Sequence, residues 1–423
     1  MTKYLLFAIS ALFASSFANA DWRPHPVQLL NGDEVVAVPG RMQIVTESWN
    51  RVVAVPYIVY MPEKDRILML VSCDYPHQAM TLWSDDHGAT WSEPTYVHVG
   101  ADRKGDTGMG IGLTYLGEGK VVLTAGSRWF SNDYGETWPE SVAVPPLPDG
   151  KTWNGWDPLF VDRDAKMKTL KRLLETGYSM DHSLWESNGG PGYSKGHLRI
   201  SADNGRTWGE PTKVPEWDGV SEVTIIRAAN GDLVAACRTD KPVSQKLVID
   251  HCEGLAVSIS KDDGTTWSAL NRLYAWGRHH PCLTLIPDKT LVMTYVVRMG
   301  YTNDTDGIPR FAVEAIVSYD NGETWDLDHR YVLHWWKGNR TGPDAWWASS
   351  QATSTIQLPD RSLVTAFGTG YRSQPNENKL PAPRDVGIVQ WRISEVARKL
   401  SNTITNAPLE SDARNVFDPA ILR

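Results

Sequence analysis

The sequence predicts an all-β fold, a six-bladed β-propeller with seven blades as the alternative, and three observations support this prediction. A motif of the form Ser-x-Asp-x-Gly-x-Thr-Trp occurs five times, with 47, 70, 59 and 58 residues between successive starts. Six pairs of short apolar runs accompany these copies, and Gly, Asn or Asp stands in the turns between paired runs. Repetition at this spacing is typical of an array of similar four-stranded units.

The repeated motif is predicted to clasp a hairpin turn. Its Asp carboxylate can accept backbone N–H bonds across the turn, and its Gly supplies the positive φ that the turn requires. The Trp can bury its ring between neighbouring sheets. We therefore interpret the motif residues as structural, and not as ligands for calcium or substrate. The five copies begin at Ser84, Ser131, Ser201, Ser260 and Ser318.

The paired runs assign two strands to each blade. The pairs are 57–60 with 67–71, 111–115 with 121–124, 158–161 with a less regular partner, 223–226 with 233–236, 283–286 with 291–297, and 354–358 with 363–367. The sixth unit lacks the motif and ends near residue 391. Residues 166–176 are basic with helical tendency and are predicted to be an insertion in blade three. The predicted divisions are a signal peptide (1–20), an N-terminal closing segment (21–50), the propeller (51–395) and a C-terminal tail (396–423).

The first twenty residues have the pattern of a secretory signal. Lys3 gives a positive start, residues 5–17 are mainly apolar, and Ala18-Asn19-Ala20 forms a cleavage site before Asp21. We therefore expect a secreted or periplasmic protein. No later stretch reaches eighteen apolar residues, so no membrane insertion is expected.

The charge balance excludes some partners. The net charge of −8 becomes −9 when Lys3 is removed with the signal. An acidic surface argues against nucleic acid or an anionic membrane surface as partner. An acidic substrate would have to meet a local cluster of Arg or Lys. Nineteen tryptophans are consistent with a repeated packing element or with stacking on sugars.

The four cysteines are too few for a disulfide framework. Cys73, Cys237, Cys252 and Cys282 are expected to be packed or bridged thiols, and a bridge from Cys237 to Cys252 would close one loop. We expect no metal and no other cofactor. Zinc is the alternative, because His251, Cys252 and Cys282 bring suitable ligands together.

The strand order of a propeller predicts which residues surround the site. The first strand of each blade is innermost, and the second strand runs back antiparallel to it. The start of the first strand and the end of the second strand therefore lie at the same rim of the channel. Four arginines at these positions suit a carboxylate or sulfate, although each could instead pair with a neighbouring Asp. The rim positions are Asp74, Tyr75, His77, Asp106, Arg128, Trp129, Asp157, Tyr178, Asp181, His182, Glu222, Arg238, His279, His280, Arg298, Gln351, Tyr371 and Arg372.

The motif and its spacing resemble the sialidase superfamily of Asp-box propellers across roughly residues 50–395. The resemblance implies an active site at one end of the central channel. Sialidases pair a glutamate with an arginine on blade four, and Glu222 with Arg238, sixteen residues later, matches that arrangement. Asp74 lies where the resemblance places the acid/base aspartate.

Two departures from the sialidase pattern bear on the substrate. The Arg-Ile-Pro tripeptide of the first blade is replaced by Ala54-Val55-Pro56, and the nucleophilic tyrosine of the sixth blade falls at Ala352. One carboxylate-binding arginine and the nucleophile are therefore both missing. We expect sialic acid not to be the substrate.

The sequence therefore predicts an exported glycoside hydrolase that acts on an acidic or deoxy-sugar glycan. One alternative is a β-eliminating lyase, because the rim is rich in histidine and the resemblance extends to ulvan lyases with similar propellers. The other is a non-catalytic glycan-binding propeller. The predicted catalytic residues are Asp74, Glu222, His279, His280 and Tyr371. The predicted substrate contacts are His77, Arg128, Trp129, His182, Arg238, Arg298, Gln351 and Arg372.

Overall fold

Six sheets surround a central channel in the computed structural model, so the prediction of a six-bladed β-propeller is confirmed. The structure describes residues 18–19, 21–32, 34–101, 104–164, 169–181, 193–240, 253–298, 310–339, 345–373, 382–395 and 397. The first strands of neighbouring blades contact one another around the channel, and the apolar clusters lie between adjacent sheets. No helix within these described ranges is long and apolar enough to cross a membrane.

Blades one to four each consist of four antiparallel strands in chain order. Blade one comprises Val53–Met61, Arg66–Cys73, Gln78–Ser84 and Thr95–Tyr96. Blade two comprises Gly112–Gly117, Lys120–Ala125, Ser127–Ser131 and Glu140–Ala143. Blade three comprises Phe160–Arg163, Leu170–Asp181, Tyr193–Ser201 and Thr212–Asp218. Blade four comprises Val220–Arg227, Leu233–Thr239, Gly254–Ser260 and Asn271–Tyr274.

Strands near the start of the chain complete the last two blades. Blade five comprises Arg278–Leu285, Leu291–Val297, Arg310–Ser318 and Tyr331–Lys337, and its sheet continues with Val27–Asn31 and Glu34–Val38. Blade six comprises Thr353–Gln357, Leu363–Tyr371 and Arg384–Trp391, then Arg41–Ile44 as its fourth strand and Arg23–Pro24 at its edge. The remaining elements are a strand pair, Ala18–Asn19 with Thr90–Trp91, and a short 3₁₀ helix, Ala345–Ala348.

The prediction of an insertion at 166–176 is wrong for its described part. Leu170–Asp181 is the second strand of blade three and pairs in register with strands on both sides. Pairing and burial on both faces outweigh the local helical tendency of a Leu- and Lys-rich run. The basic side chains remain outside the core, where Lys171 and Arg172 form ion pairs with Asp263 at 2.7 and 3.0 Å.

The Asp-box motifs close hairpins as their chemistry predicts. In blade two, Asp133 accepts hydrogen bonds from the Ser131 hydroxyl at 2.7 Å, the Thr137 amide at 3.0 Å and the Thr137 hydroxyl at 2.5 Å. Gly135 has φ near +81°, and the Trp138 side chain is buried. The motif is therefore a structural unit in which the carboxylate joins the two sides of the turn.

Asp133→Ala is expected to lower the free energy of unfolding by about 1–3 kcal/mol, because the turn donors lose their acceptor. Urea unfolding of the purified variant measures this loss. Asp149→Ala, in an exposed loop, is the matched control and is expected to have wild-type stability. A stable Asp133→Ala protein with impaired activity would contradict the structural role.

The inner strands of three blades begin with a register shift. The shifts lie between Ala54 and Tyr57, between Val220 and Val223, and between His279 and Cys282. Val55 and His280 occupy equivalent positions in blades one and five, with φ values of 53° and 51°. Each is followed by a proline, so the two entrances have the same local sequence pattern.

The described cysteines are free thiols. They are Cys73, Cys237 and Cys282, and burial raises the pKa of Cys73 to about 12. The proposed bridge to Cys252 and the zinc alternative involve His251 and Cys252, which lie outside the described residues. Among the described residues, no three His, Cys, Asp or Glu side chains converge as a metal site.

Candidate active site

A cavity of about 280 Å³ lies at one end of the channel, and every blade contributes to its wall. The contributing positions are mainly starts of first strands and ends of second strands. The lining residues are Tyr75 and His77 from blade one, Met109 from blade two, Trp156 and Tyr178 from blade three, Glu222 and Arg238 from blade four, Arg298 from blade five, and Trp347 and Gln351 from blade six.

Glu222 and Arg238 form an ion pair at the cavity. Arg238 donates from Nη1 to Glu222 Oε1 at 2.6 Å and from Nε to Glu253. Burial alone would raise the pKa of Glu222, but the positive charges of Arg238, His280 and Arg298 outweigh burial and lower the pKa to about 2. Glu222 is therefore a fixed carboxylate at neutral pH.

His280 connects Glu222 to the wall of blade three. Its Nδ1 lies 3.0 Å from Glu222 Oε2, and its Nε2 lies 3.1 Å from the Tyr57 hydroxyl. Tyr57 donates its proton to the carbonyl oxygen of Trp156 at 2.6 Å. The His280 side chain is almost fully buried and does not line the cavity.

Asp157 adds a second carboxyl group to this cluster. The residue is partly exposed, but its Oδ2 is buried and has no hydrogen-bond partner among the described residues. Burial raises the pKa of Asp157 to about 7, and the Glu222 carboxylate also raises it. His280, the Val223 N–H and Arg238 act in the opposite direction and only partly offset this increase. Asp157 is thus a carboxyl group that carries a proton below about pH 7.

Asp157→Asn is expected to become more stable relative to the wild type as pH rises. Between its ordinary pKa of 3.8 and about 7, Asp157 is protonated in the native state and ionised in the unfolded chain. The native state binds the additional proton, so this contribution to stability is complete below pH 3.8 and is lost as pH rises through about 7. Urea unfolding of both proteins at several pH values measures the difference, at most about 1.4 kcal/mol per pH unit.

The exposed Asp149→Asn serves as control for this experiment and is expected to keep the wild-type pH dependence above the ordinary carboxyl pKa of 3.8. A stability difference between Asp157→Asn and wild type that stays constant with pH would show that Asp157 ionises normally.

His77 and three tyrosines also line or border the cavity. Burial lowers the pKa of His77 to about 4, and Arg384 acts in the same direction. Its ring is therefore neutral at pH 7, and its Nδ1 has no hydrogen-bond partner among the described residues. The Tyr75 and Tyr371 hydroxyls are 3.0 Å apart. Burial raises the pKa of Tyr178, and the Glu222 carboxylate adds to this effect, so Tyr178 keeps its proton.

The structure places Glu222, His77, Arg238, Arg298 and Gln351, all predicted site residues, on the cavity wall. It places His280 directly behind the wall, in contact with Glu222. Tyr371 borders the cavity through Tyr75.

Five other predicted residues with described side chains do not line this cavity. Asp74 is at the rim and is held by Arg51 at 2.6 Å, and His279 is fully buried in blade five. Arg128 is buried between blades two and three, where it pairs with Glu175 and lies 4.4 Å from the centre of the Trp208 ring. Arg128 was predicted to face the rim, but its strand, Ser127–Ser131, directs the side chain into the interface between blades two and three.

Trp129 and Arg372 are also used within the protein. The Trp129 indole donates to the Ala125 carbonyl at 3.2 Å and its ring stacks on His98. Arg372 pairs with Asp385 through two bonds of 2.6 and 2.7 Å and donates to the Glu47 carbonyl, so it joins blade six to the N-terminal segment. His182 lies outside the described residues.

Four residues of the site were not predicted from the sequence: Tyr57, Met109, Trp156 and Trp347. Tyr57 follows Pro56, just as Cys282 follows Pro281, and this repeated entrance pattern could have indicated a residue facing the channel. Trp156 immediately precedes Asp157, a rim position. Met109 lies just ahead of the first strand of blade two, and Trp347 lies in the short 3₁₀ helix ahead of the first strand of blade six; neither segment has a periodic sequence signal.

The comparisons with known proteins agree with this architecture. No model of a known protein family matches the sequence. A sialidase of Micromonospora viridifaciens is 27% identical over 184 residues, which cover 41% of this chain and 26% of that protein. The chain thus matches about a quarter of that relative's length.

Two solved structures extend the similarity over most of the chain. A protein of unknown function from Dyadobacter fermentans has a TM-score of 0.58 at 16% identity, over 88% of this chain and 99% of that chain. A sialidase from Streptococcus pneumoniae has a TM-score of 0.51 at 12% identity, over 82% of this chain and 69% of that chain. At these identities the similarity establishes the fold.

Proposed function

From the premise that the chain is a divergent sialidase-like β-propeller, we propose that it is an exported enzyme that hydrolyses glycosidic bonds of an acidic glycan. The observation that carries the proposal is the convergence of Arg238, Arg298 and Glu222 in one cavity at the end of the channel. Guanidinium groups bind carboxylates and sulfates, and a fixed carboxylate stabilises positive charge that develops at an anomeric carbon.

The size of the cavity supports action on a terminal sugar. About 280 Å³ is close to the lower limit of small-molecule pockets, roughly 300 Å³. Aromatic rings from Trp156 and Trp347 lie on its wall and are suited to apolar faces of a sugar ring. We therefore infer that one monosaccharide enters and that the rest of the glycan lies outside.

The roles of the lining residues follow from their charge states. Glu222 is ionised at all physiological pH values and so cannot be the general acid. We assign to it the stabilisation of the oxocarbenium-like transition state. Tyr178 presents a neutral hydroxyl in the same cavity and within electrostatic reach of Glu222, so it is the candidate for the nucleophile that the sequence lacks at Ala352. Asp74, at the rim, remains the candidate for the acid.

A second candidate function is β-elimination on a uronate polysaccharide, which His77 favours. A neutral imidazole that lines a cavity with two arginines provides a base and a carboxylate-neutralising pair. In this reaction the base removes the proton beside the carboxylate, the glycosidic C–O bond breaks, and a tyrosine returns a proton to the leaving oxygen. A carbon–carbon double bond forms, and no water is consumed.

Reaction in ¹⁸O-labelled water distinguishes the two candidates. The protein is incubated with a panel of acidic polysaccharides and oligosaccharides, and the products are analysed by mass spectrometry. Hydrolysis introduces one oxygen label per bond cleaved. Elimination introduces none and gives an unsaturated product with ultraviolet absorbance. Binding to the panel without any product would refute both and support a non-catalytic glycan-binding propeller.

A further inference from the structure

Three hydrogen bonds form a continuous chain from Glu222 to Trp156. Glu222 Oε2 lies 3.0 Å from His280 Nδ1, His280 Nε2 lies 3.1 Å from the Tyr57 hydroxyl, and that hydroxyl lies 2.6 Å from the Trp156 carbonyl. Glu222 and Trp156 both line the cavity, but His280 and Tyr57 lie behind it. The chain thus links two parts of the wall, in blades four and three, through buried side chains.

The direction of these bonds fixes the position of each proton. A carbonyl oxygen only accepts, so the single proton of Tyr57 is donated to Trp156. Tyr57 can then offer only a lone pair to His280, and Nε2 must carry a proton. On the other side, Nδ1 faces a carboxylate that only accepts, so Nδ1 must carry a proton as well. Both ring nitrogens are therefore donors, which is the imidazolium form.

The charged groups around His280 can compensate an imidazolium. Glu222 faces it as a carboxylate from blade four, and Asp157, which carries a proton below about pH 7, faces it from blade three, whereas Arg238 and Arg298 interact with the same glutamate. His280 is 1% exposed, and a buried charge must be paired and hydrogen bonded to be tolerated. Glu222 meets this requirement through direct contact, and Tyr57 provides the second acceptor.

We propose that His280 is a permanently protonated positioning residue, which holds Glu222 through Nδ1 and Trp156 through Tyr57 and adds a third fixed positive charge beside Arg238 and Arg298. Its suggested role in acid/base catalysis is replaced by this one, because both of its nitrogens are occupied and neither reaches the cavity. The benefit for an anionic sugar rests on the proposed function, whereas the protonation state does not.

Nitrogen NMR of the full chain, labelled with ¹⁵N only at histidine, tests the proposal directly. His280→Gln assigns the His280 signals by difference. We expect both nitrogens to have the shifts of a protonated ring from about pH 6 to about pH 9, a range in which an ordinary histidine loses its charge. A neutral-ring signal at pH 7 would overturn the proposal. The spectrum requires no substrate, so it stands even if the protein cleaves no glycan.

Two variants on the first strand of blade one, Tyr57→Phe and Tyr60→Phe, provide the second readout. The change in Tyr57→Phe also identifies the His280 signals if His280→Gln does not fold. Tyr57→Phe removes the acceptor for Nε2, so His280 is expected to begin losing its proton within the same pH range. Tyr60→Phe removes a hydroxyl that bonds Asp65 at 2.5 Å, away from the cluster, and is expected to leave the His280 signal unchanged. Unchanged His280 shifts in Tyr57→Phe would show that Tyr57 does not hold the imidazolium.

Discussion

Glu222→Gln is expected to lower kcat/KM on the identified substrate by at least about 100-fold, or about 2.7 kcal/mol in transition-state stabilisation. The substitution preserves the shape of the side chain but removes the negative charge to which we assign the stabilisation of the transition state. It also leaves Arg238 and His280 without their shared counter-charge. The free energy of unfolding is therefore expected to fall as well, and initial rates should be measured at a temperature where both proteins are fully folded.

Glu136→Gln is the matched control for the loss of charge. Glu136 forms ion pairs with Lys64 and Arg66 in the Asp-box region of blades one and two, away from the cavity. It is expected to retain wild-type kcat/KM. A Glu222→Gln protein that is folded and fully active would refute the assigned site.

Arg238→Lys is expected to lower kcat/KM by at least about tenfold, or about 1.4 kcal/mol, while the net charge is unchanged. The lysine ammonium cannot reproduce the planar set of donors that contacts Glu222 and Glu253 and faces the cavity. The loss should appear mainly in KM if Arg238 binds the anionic group equally in the ground and transition states.

Arg372→Lys provides the comparison for Arg238→Lys. Arg372 also pairs with a carboxylate, that of Asp385, but it lies outside the cavity wall. Its substitution is expected to change kcat/KM by less than about twofold, with at most a small loss of stability. Equal effects of the two substitutions would show that the cavity does not bind the substrate.

The repeated motif and the paired apolar runs were sufficient to predict the fold, because each blade depends on local signals. Asp133 and Gly135 act within one turn, and the same turn recurs in every Asp-box unit. The error at Leu170–Asp181 arose where the local signal and the tertiary environment disagree. A run rich in Leu and Lys favours helix in isolation, and only pairing on both sides makes it a strand.

The candidate site was predictable as far as strand order determines it. Positions such as Glu222 and Arg298 follow from the rule that starts of first strands and ends of second strands share a rim. Tyr57 follows a register shift in the first strand of blade one, which the pairing of apolar runs does not reveal. Strand order also does not determine side-chain direction: Arg128 lies near the rim, but its side chain points between blades two and three.

We expect the closure of blade six to come late in folding. Gln43 in Arg41–Ile44 pairs with Ile388 in Arg384–Trp391, so this contact joins segments that are 345 residues apart in sequence. The loop-closure entropy of such a contact is high, and contacts of this kind form late. Blades one to four can assemble from neighbouring segments as synthesis proceeds, but the ring cannot close until blade six exists. The outer edge of Arg384–Trp391 is unpaired until Arg41–Ile44 pairs with it. An unpaired strand edge is prone to aggregation. The yield of folded protein should therefore depend on how soon these two strands pair.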